Sequence, residues 1–178
     1  MHNCGALLLL TDDQRLPDPL PAARALPRGA VIILRSRDAR RRAALAAALR
    51  AIARVRGLLL LIADDPQLAA KIGAHGIHLP QRRAREAAHW RARYPHWFVT
   101  AAAHSLRAVL NAGGADAILL SPVFATASHP DAPALTPARA RLIARQAPIP
   151  VFALGGIDAQ NAGLLHGFAG LAAIGALI

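Results

Sequence analysis

The chain has 178 residues, of which 54% are hydrophobic, and a formal net charge of +11 at pH 7. This length suits one domain over residues 1–178 with a sizeable core, and we expect no second full domain. No uninterrupted apolar run reaches the roughly 18 residues of a membrane-spanning helix, and the start of the chain lacks the pattern of a signal peptide. A single cysteine, Cys4, excludes an intrachain disulfide. We therefore expect a cytoplasmic protein that does not contact a membrane.

The positive charge raises the question of nucleic-acid binding. Only Lys71 among the 21 basic residues is a lysine, which indicates a bias toward arginine rather than a basic binding tail. The densest basic run, residues 35–57, carries Leu45, Leu49 and Ile52 at the spacing of one buried helical face, so most of its arginines fall on the solvated side. Aromatic residues make up only 4% of the chain, and none lies within this basic run. We predict no nucleic-acid partner.

In chain order, eight apolar runs are typical of buried strands, and their nearly continuous apolar character favours parallel strands covered on both faces. Between them lie helix-start signals, in which a polar residue precedes a helical pattern. The predicted strands are 6–11, 30–35, 58–63, 76–79, 97–102, 117–121, 150–154 and 171–175. The helix-start signals are Asp65, Ser105, Thr136 and Asp158.

Eight strand-then-helix units predict a compact (β/α)₈ TIM barrel, with an open doubly wound sheet as the alternative. The first connection, residues 12–29, contains four prolines and can support only a short helix. The chain ends three residues after the last predicted strand, so we expect no eighth helix. An uncovered strand flank predicts either an exposed apolar patch or a partner subunit, for which a homodimer is the economical arrangement.

Functional groups of a barrel lie at the carboxyl ends of its strands. The glycines at these ends are Gly155 and Gly156 after the seventh strand and Gly175 at the eighth. Barrels commonly hold a phosphate there on backbone amides, and a tight turn is the alternative role for the glycine pair. The polar candidates are Thr11, Asp12, Asp13, Arg35, Arg37, Asp64, Asp65, His78, Gln81, His104 and Ser121.

Five segments in this order resemble the thiamine phosphate synthase and thiazole tautomerase superfamily. They are "GAHGIHLPQ" (73–81), "AAHSL" (102–106), "GADAILLSPVFATASHPDAPAL" (114–135), "PIPVFALGGIDAQNAG" (148–163) and "GLAAIGALI" (170–178). The resemblance covers nearly the whole chain, from Leu7 to Ile178. It implies a barrel that binds the thiazole phosphate of thiamine biosynthesis, a small-molecule phosphate ligand.

In a synthase of this superfamily, a thiazole phosphate attacks a pyrimidine pyrophosphate while Mg²⁺ and basic residues steady the departing pyrophosphate. The resemblance assigns two of those cations to Arg35 and Arg37. It assigns one magnesium ligand to Asp64, and the second ligand position falls on Arg83, where a cation would repel the metal.

Other positions of the synthase pattern are also changed. The serine before the histidine of strand five is Ala102, and Gly175 replaces a serine near the chain end. The loop after strand six keeps Thr126 and Ser128 as candidate ligand contacts, but His129 replaces its lysine. A lysine is a permanent cation at neutral pH, whereas a histidine is mostly neutral. The thiazole-phosphate half of the site therefore looks kept and the pyrophosphate half dismantled.

His104 is the candidate catalytic residue, because "AAHSL" resembles the tautomerase pattern in which a histidine moves a proton as the thiazole becomes aromatic. Ligand contact alone and a purely structural role are the alternatives for His104. We expect His78 to be a structural histidine that is hydrogen-bonded to a neighbouring strand end. Asp12 and Asp13 are expected to cap a turn.

Three functions follow from these residues. The first expectation is a metal-independent thiazole tautomerase that uses His104 and needs no cofactor. The alternatives are a Mg²⁺-dependent thiamine phosphate synthase, with Asp64 as a metal ligand, and a non-catalytic protein that binds thiazole or thiamine phosphate.

Overall fold

A computed structural model describes residues 6–125 and 134–174. Eight parallel strands form a closed barrel in chain order, and the last strand pairs with the first. This confirms all eight predicted strands, and closure of the sheet excludes the doubly wound alternative. The strands are β1 Ala6–Leu10, β2 Val31–Leu34, β3 Leu59–Ala63, β4 Gly76–Leu79, β5 Phe98–Ala103, β6 Ala117–Leu120, β7 Val151–Leu154 and β8 Gly170–Ala173.

Helical segments on the outside connect these strands. Asp65, Ser105 and Thr136 each accept a backbone N–H bond at the start of a helix, as their sequence context predicts. The first helix has only six residues, in agreement with its proline-rich connection. The α-helices are α1 Leu20–Ala25, α2 Ala39–Arg56, α3 Pro66–Lys71, α4 Ala87–Arg93, α5 Leu106–Asn111 and α6 Pro137–Gln146, and 3₁₀ segments cover Gln81–Glu86 and Ala162–Leu164.

The helix predicted to begin at Asp158 does not form, and only the 3₁₀ turn Ala162–Leu164 follows β7. The Asp158 carboxylate accepts the backbone N–H groups of Gln160 and Asn161, which is a turn rather than the start of a helix. The Asn161 side chain accepts the backbone N–H of Asp158 and donates to the carbonyl of Gly156, which closes the loop on itself. The sequence prediction was wrong here because an aspartate can cap either structure.

Helix α2 has the buried face that its spacing predicts, shifted by one position. Leu49 is fully buried together with Ala46 and Ala53, and Leu45 and Ile52 lie half-buried on either side of them. None of the helices in residues 6–125 and 134–174 is long and apolar enough to cross a bilayer.

Side chains of the strands alternate between the barrel interior and the layer under the helices, as the period of a strand requires, and each of these two regions has an apolar cluster. One cluster fills the barrel interior, and the other lies between the strands and the helices. The interior cluster consists of Leu8, Leu10, Val31, Ile33, Leu61, Ala117, Leu119, Phe152 and Ala172. The residues after Ile174 are outside the described part of the chain, so the absence of an eighth helix stays a prediction.

Candidate functional site at the mouth of the barrel

The strand alternation brings a set of polar residues to the carboxyl end of the barrel. Asp12, Arg35 and Ser121 each stand two positions beyond an interior residue, and His104 continues the register of Thr100 on β5. Their side chains therefore belong to the mouth, where barrels place functional groups.

The first group at the mouth is an ion pair between β1 and β2. An Arg35 guanidinium nitrogen donates to Asp12 Oδ2 over 2.5 Å. Burial raises the pKa of Asp12, but backbone N–H bonds from Arg15 and Gln14 and the Arg35 side chain outweigh it and lower that pKa to about 2. Asp12 caps the turn after β1, as expected from the sequence, and also holds Arg35, whose side chain is 46% exposed.

A second contact joins the same two loops, which follow β1 and β2. The backbone N–H of Arg37 donates to Asp13 Oδ2 over 2.9 Å, which is the main cause of the lowered pKa of Asp13. The Arg37 side chain itself is exposed. The carboxylate of Asp12 therefore holds the Arg35 side chain at the mouth, whereas the guanidinium of Arg37 faces solvent.

Asp64 stands at the end of β3 in a left-handed backbone conformation, with φ of 56°. Arg82 contacts its Oδ2 oxygen, and Arg83 Nη1 donates to its Oδ1 oxygen over 2.5 Å. Arg83 also donates through Nε and Nη2 to the two carboxylate oxygens of Glu86, over 2.8 and 2.7 Å. Its bonds to Glu86 and Asp64 raise the pKa of Arg83, so its charge is permanent.

The expected magnesium ligand is thus already bound by two cations of the protein. Mg²⁺ is usually held by one or two carboxylates together with water and substrate phosphates, and both oxygens of Asp64 already contact guanidinium groups. Among the residues that the structure describes, no three His, Cys, Asp or Glu side chains are grouped to hold a metal ion. The donor set around Asp64 therefore does not fit Mg²⁺.

His104 is positioned by contacts from two neighbouring strand ends. Its backbone N–H donates to Gln81 Oε1 over 2.9 Å, and its Nδ1 lies 2.7 Å from the carbonyl oxygen of Ser121. A carbonyl oxygen can only accept, so Nδ1 carries the proton, and in the neutral ring Nε2 has the free lone pair. The side chain is exposed. A histidine held this way can take a proton from a ligand at the mouth.

The glycine pair after β7 lets the loop after β6 approach closely. A Cβ on Gly155 would lie 2.9 Å from Pro122 Cα, and one on Gly156 would lie 2.5 Å from the carbonyl oxygen of Ala125. Both glycines have positive φ, 100° and 66°. Close packing of the loop explains why glycines are needed here, and phosphate binding by their backbone remains a prediction.

Four predicted contacts, Thr126, Ser128, His129 and Gly175, lie outside the described residues, and their roles remain predictions. His78, by contrast, has the structural role expected of it. Its Nδ1 lies 2.9 Å from Thr100 Oγ1, and both residues are buried. Sequence reasoning missed Arg82. The signal was present, since the arginine doublet 82–83 follows β4 and Asp64 ends the adjacent β3.

A cleft of about 350 Å³ adjoins the mouth between the 3₁₀ segment Gln81–Glu86 and α5. It contains three arginine side chains and no carboxylate. Its lining residues are Gln81, Arg82, Ala84, Arg85, Ser105, Arg107, Ala108 and Asn111.

Fold and site together define a barrel protein with a cationic mouth and a positioned histidine. A model of the family described as thiamine monophosphate synthase matches residues 7–177. A thiamine-phosphate synthase of Acidithiobacillus ferrooxidans is 34% identical over 178 aligned positions, which cover 90% of this chain and 79% of that protein. A relative from Aquifex aeolicus is 37% identical over 115 positions, and the match spans only 61% of its length and 64% of this chain.

Among solved structures, a thiamine phosphate pyrophosphorylase from Pyrococcus furiosus superposes with a TM-score of 0.81 at 29% identity. The superposition covers 95% of this chain and 85% of that one. The chain belongs to the thiamine monophosphate synthase family.

Proposed function

We propose that the protein is a thiamine-phosphate synthase-type transferase, which joins a thiazole phosphate to a pyrimidine pyrophosphate at the mouth of the barrel. The observation that carries the proposal is the 34% identity, across 90% of the chain, to a relative of that name. The relatives favour this function over the tautomerase, which was the first expectation from the sequence. In the proposed reaction an electron pair of the thiazole forms a new bond to the pyrimidine's carbon as the bond from that carbon to pyrophosphate breaks, and the electron pair of the broken bond leaves with the pyrophosphate.

The charges at the mouth support this chemistry. A departing pyrophosphate carries several negative charges, and fixed cations stabilise such a leaving group. Arg35, which follows β2, and Arg82, in the 3₁₀ segment that follows β4, are both partly exposed and can contribute that charge. We propose that they face the phosphate groups of the ligands.

A proton-transfer isomerase of the tautomerase type is the second candidate function. The observation that favours it is the hydrogen bond between His104 Nδ1 and the Ser121 carbonyl, which leaves Nε2 able to accept a proton. For either function we propose a cytoplasmic location and a small phosphorylated ligand. A homodimer that covers the flank of β8 is also proposed.

The test is a mass-spectrometric assay for thiamine phosphate, with purified protein, thiazole phosphate and pyrimidine pyrophosphate at neutral pH, run with Mg²⁺ and with chelator. We expect product, and a loss of rate of about tenfold or more in Arg35→Ala. His104→Ala is assayed as well, and His96→Ala is its matched control, because His96 is an exposed histidine that precedes β5 at the opposite end of the barrel. Absence of product under both conditions would reject the synthase.

The same preparations decide between the remaining functions. Conversion of the non-aromatic thiazole phosphate that is lost in His104→Ala but kept in His96→Ala would establish the isomerase. Saturable binding of thiazole phosphate without either conversion would leave a binding protein.

A further inference from the structure

We propose that the guanidinium groups of Arg82 and Arg83 take the place of a divalent cation beside Asp64, so that the site binds phosphate ligands without a metal ion. The identity of the ligand rests on the proposed function, but the statement about the metal does not.

The first argument is the occupancy of Asp64. Each of its two carboxylate oxygens contacts a different guanidinium, Oδ1 that of Arg83 and Oδ2 that of Arg82. A metal ion at either oxygen would have to lie beside an arginine that carries the same sign of charge and repels it. Charge-assisted bonds of this kind are among the stronger hydrogen bonds in proteins.

The second argument is that Arg83 is held from its other side. Its Nε and Nη2 donate as a fork to both oxygens of Glu86, and its side chain is only 28% exposed. Glu86 also accepts from the Trp90 indole over 3.2 Å, which fixes the carboxylate. Arg83 therefore cannot swing away from Asp64 without breaking two further ionic hydrogen bonds.

The third argument is the net charge. Asp64 and Glu86 carry two negative charges, and Arg82 and Arg83 carry two positive ones, so the cluster offers a divalent cation no net attraction. Arg82 is 70% exposed and uses one bond to Asp64, which leaves most of its five N–H donors for an anion. Arg82 also borders the cleft that Arg85 and Arg107 line. The exposed part of the cluster thus suits a phosphate group.

Mn²⁺ titration followed by electron paramagnetic resonance, without any substrate, tests the metal directly. We expect wild-type protein and Asp64→Asn to show the same Mn²⁺ binding, because Asp64 does not hold a metal ion in the wild type. Arg83→Asp removes a guanidinium and adds a carboxylate next to Asp64, so it should bind Mn²⁺ about tenfold or more tightly than wild type. Arg54→Asp, which makes the same charge change on an exposed residue of α2, should not.

Wild-type binding of Mn²⁺ that Asp64→Asn weakens about tenfold would overturn the proposal. So would a folded Arg83→Asp that binds no better than wild type, with folding checked by circular dichroism. If Arg83→Asp does not fold, the comparison of wild type with Asp64→Asn still decides the question.

The synthesis assay separates this proposal from the proposed function. Equal rates of thiamine phosphate formation with Mg²⁺ and with chelator would support both. Product that requires Mg²⁺ would keep the function and overturn the metal-free site. With no product in either condition the function fails, and the Mn²⁺ titration alone judges the site.

Discussion

His78 is a titratable side chain that lies buried in the barrel beside Thr100. Burial is the largest cause that lowers its pKa, nearby Arg35 lowers it further, and Asp64 acts in the opposite direction, with a result of about 4. The ring is therefore neutral at pH 7, and its one described partner is the hydroxyl of Thr100. A buried polar pair of this kind is stable only while both members are satisfied.

The free energy of unfolding should fall on acidification because of His78. Its pKa is 6.5 in the unfolded chain and about 4 in the fold, so between these values only the unfolded state takes up a proton. The contribution of His78 to the free energy of unfolding is fully present above pH 6.5. It is lost as the pH falls to about 4, and the loss amounts to about 3 kcal/mol in total. Urea unfolding at several pH values measures this loss.

His78→Asn keeps a hydrogen-bonding side chain without the titration and should flatten that dependence. His75, whose pKa is lowered by burial and by Arg50, remains in both proteins and cancels in the comparison. An unchanged slope in His78→Asn would show that His78 does not carry the effect. Asp12, with its pKa lowered to about 2, acts in a separate window below pH 4.

At the scale of the elements, the contact between β4 and β5 depends on a missing side chain. A Cβ on Gly76 would lie 2.0 Å from the carbonyl oxygen of Phe98, its partner on β5. No flexible side chain is there to move aside, since the neighbouring atoms are backbone. Only glycine can begin β4 in this register.

Gly76→Ala should destabilise the protein by about 3 kcal/mol or more, or prevent folding, because the two strands must separate. Gly113→Ala is the matched control, since a Cβ there meets nothing within 4 Å. Thermal and urea unfolding of both variants measure the difference. Equal stabilities would mean that the strands can adjust at little cost.

The molecule as a whole has 21 basic and 10 acidic residues, and the excess positive charges repel one another in the compact state. The distance beyond which salt screens this repulsion falls from about 30 Å at 0.01 M to about 8 Å at 0.15 M. We expect Tm to rise when NaCl is increased over this range, by an amount corresponding to on the order of 1 kcal/mol. Sucrose at equal osmolality is the control, and a fall of Tm with salt would show that the ion pairs outweigh the repulsion.

The barrel could be predicted from the sequence because each strand is a short apolar run and each run is followed by a helix signal or a turn. Local signals failed where one residue type serves two structures, as Asp158 does. At the mouth, spacing and resemblance identified Arg35, Asp64 and His104. The partners of these residues come from the segments that follow other strands, so the bonds of Asp64 to Arg82 and Arg83 could not be predicted from local sequence.

The closed barrel has one seam where β1 meets β8, and every other strand pair joins consecutive strands. Consecutive pairs need only short loops to close, whereas the seam must bring together opposite ends of the described chain. The seam should therefore form last during folding. Until then β1 and β8 present two open hydrogen-bonding edges, which can pair with another chain instead. Concentrated refolding thus favours aggregates, and dilution favours closure of the barrel, because only the intermolecular pairing depends on concentration.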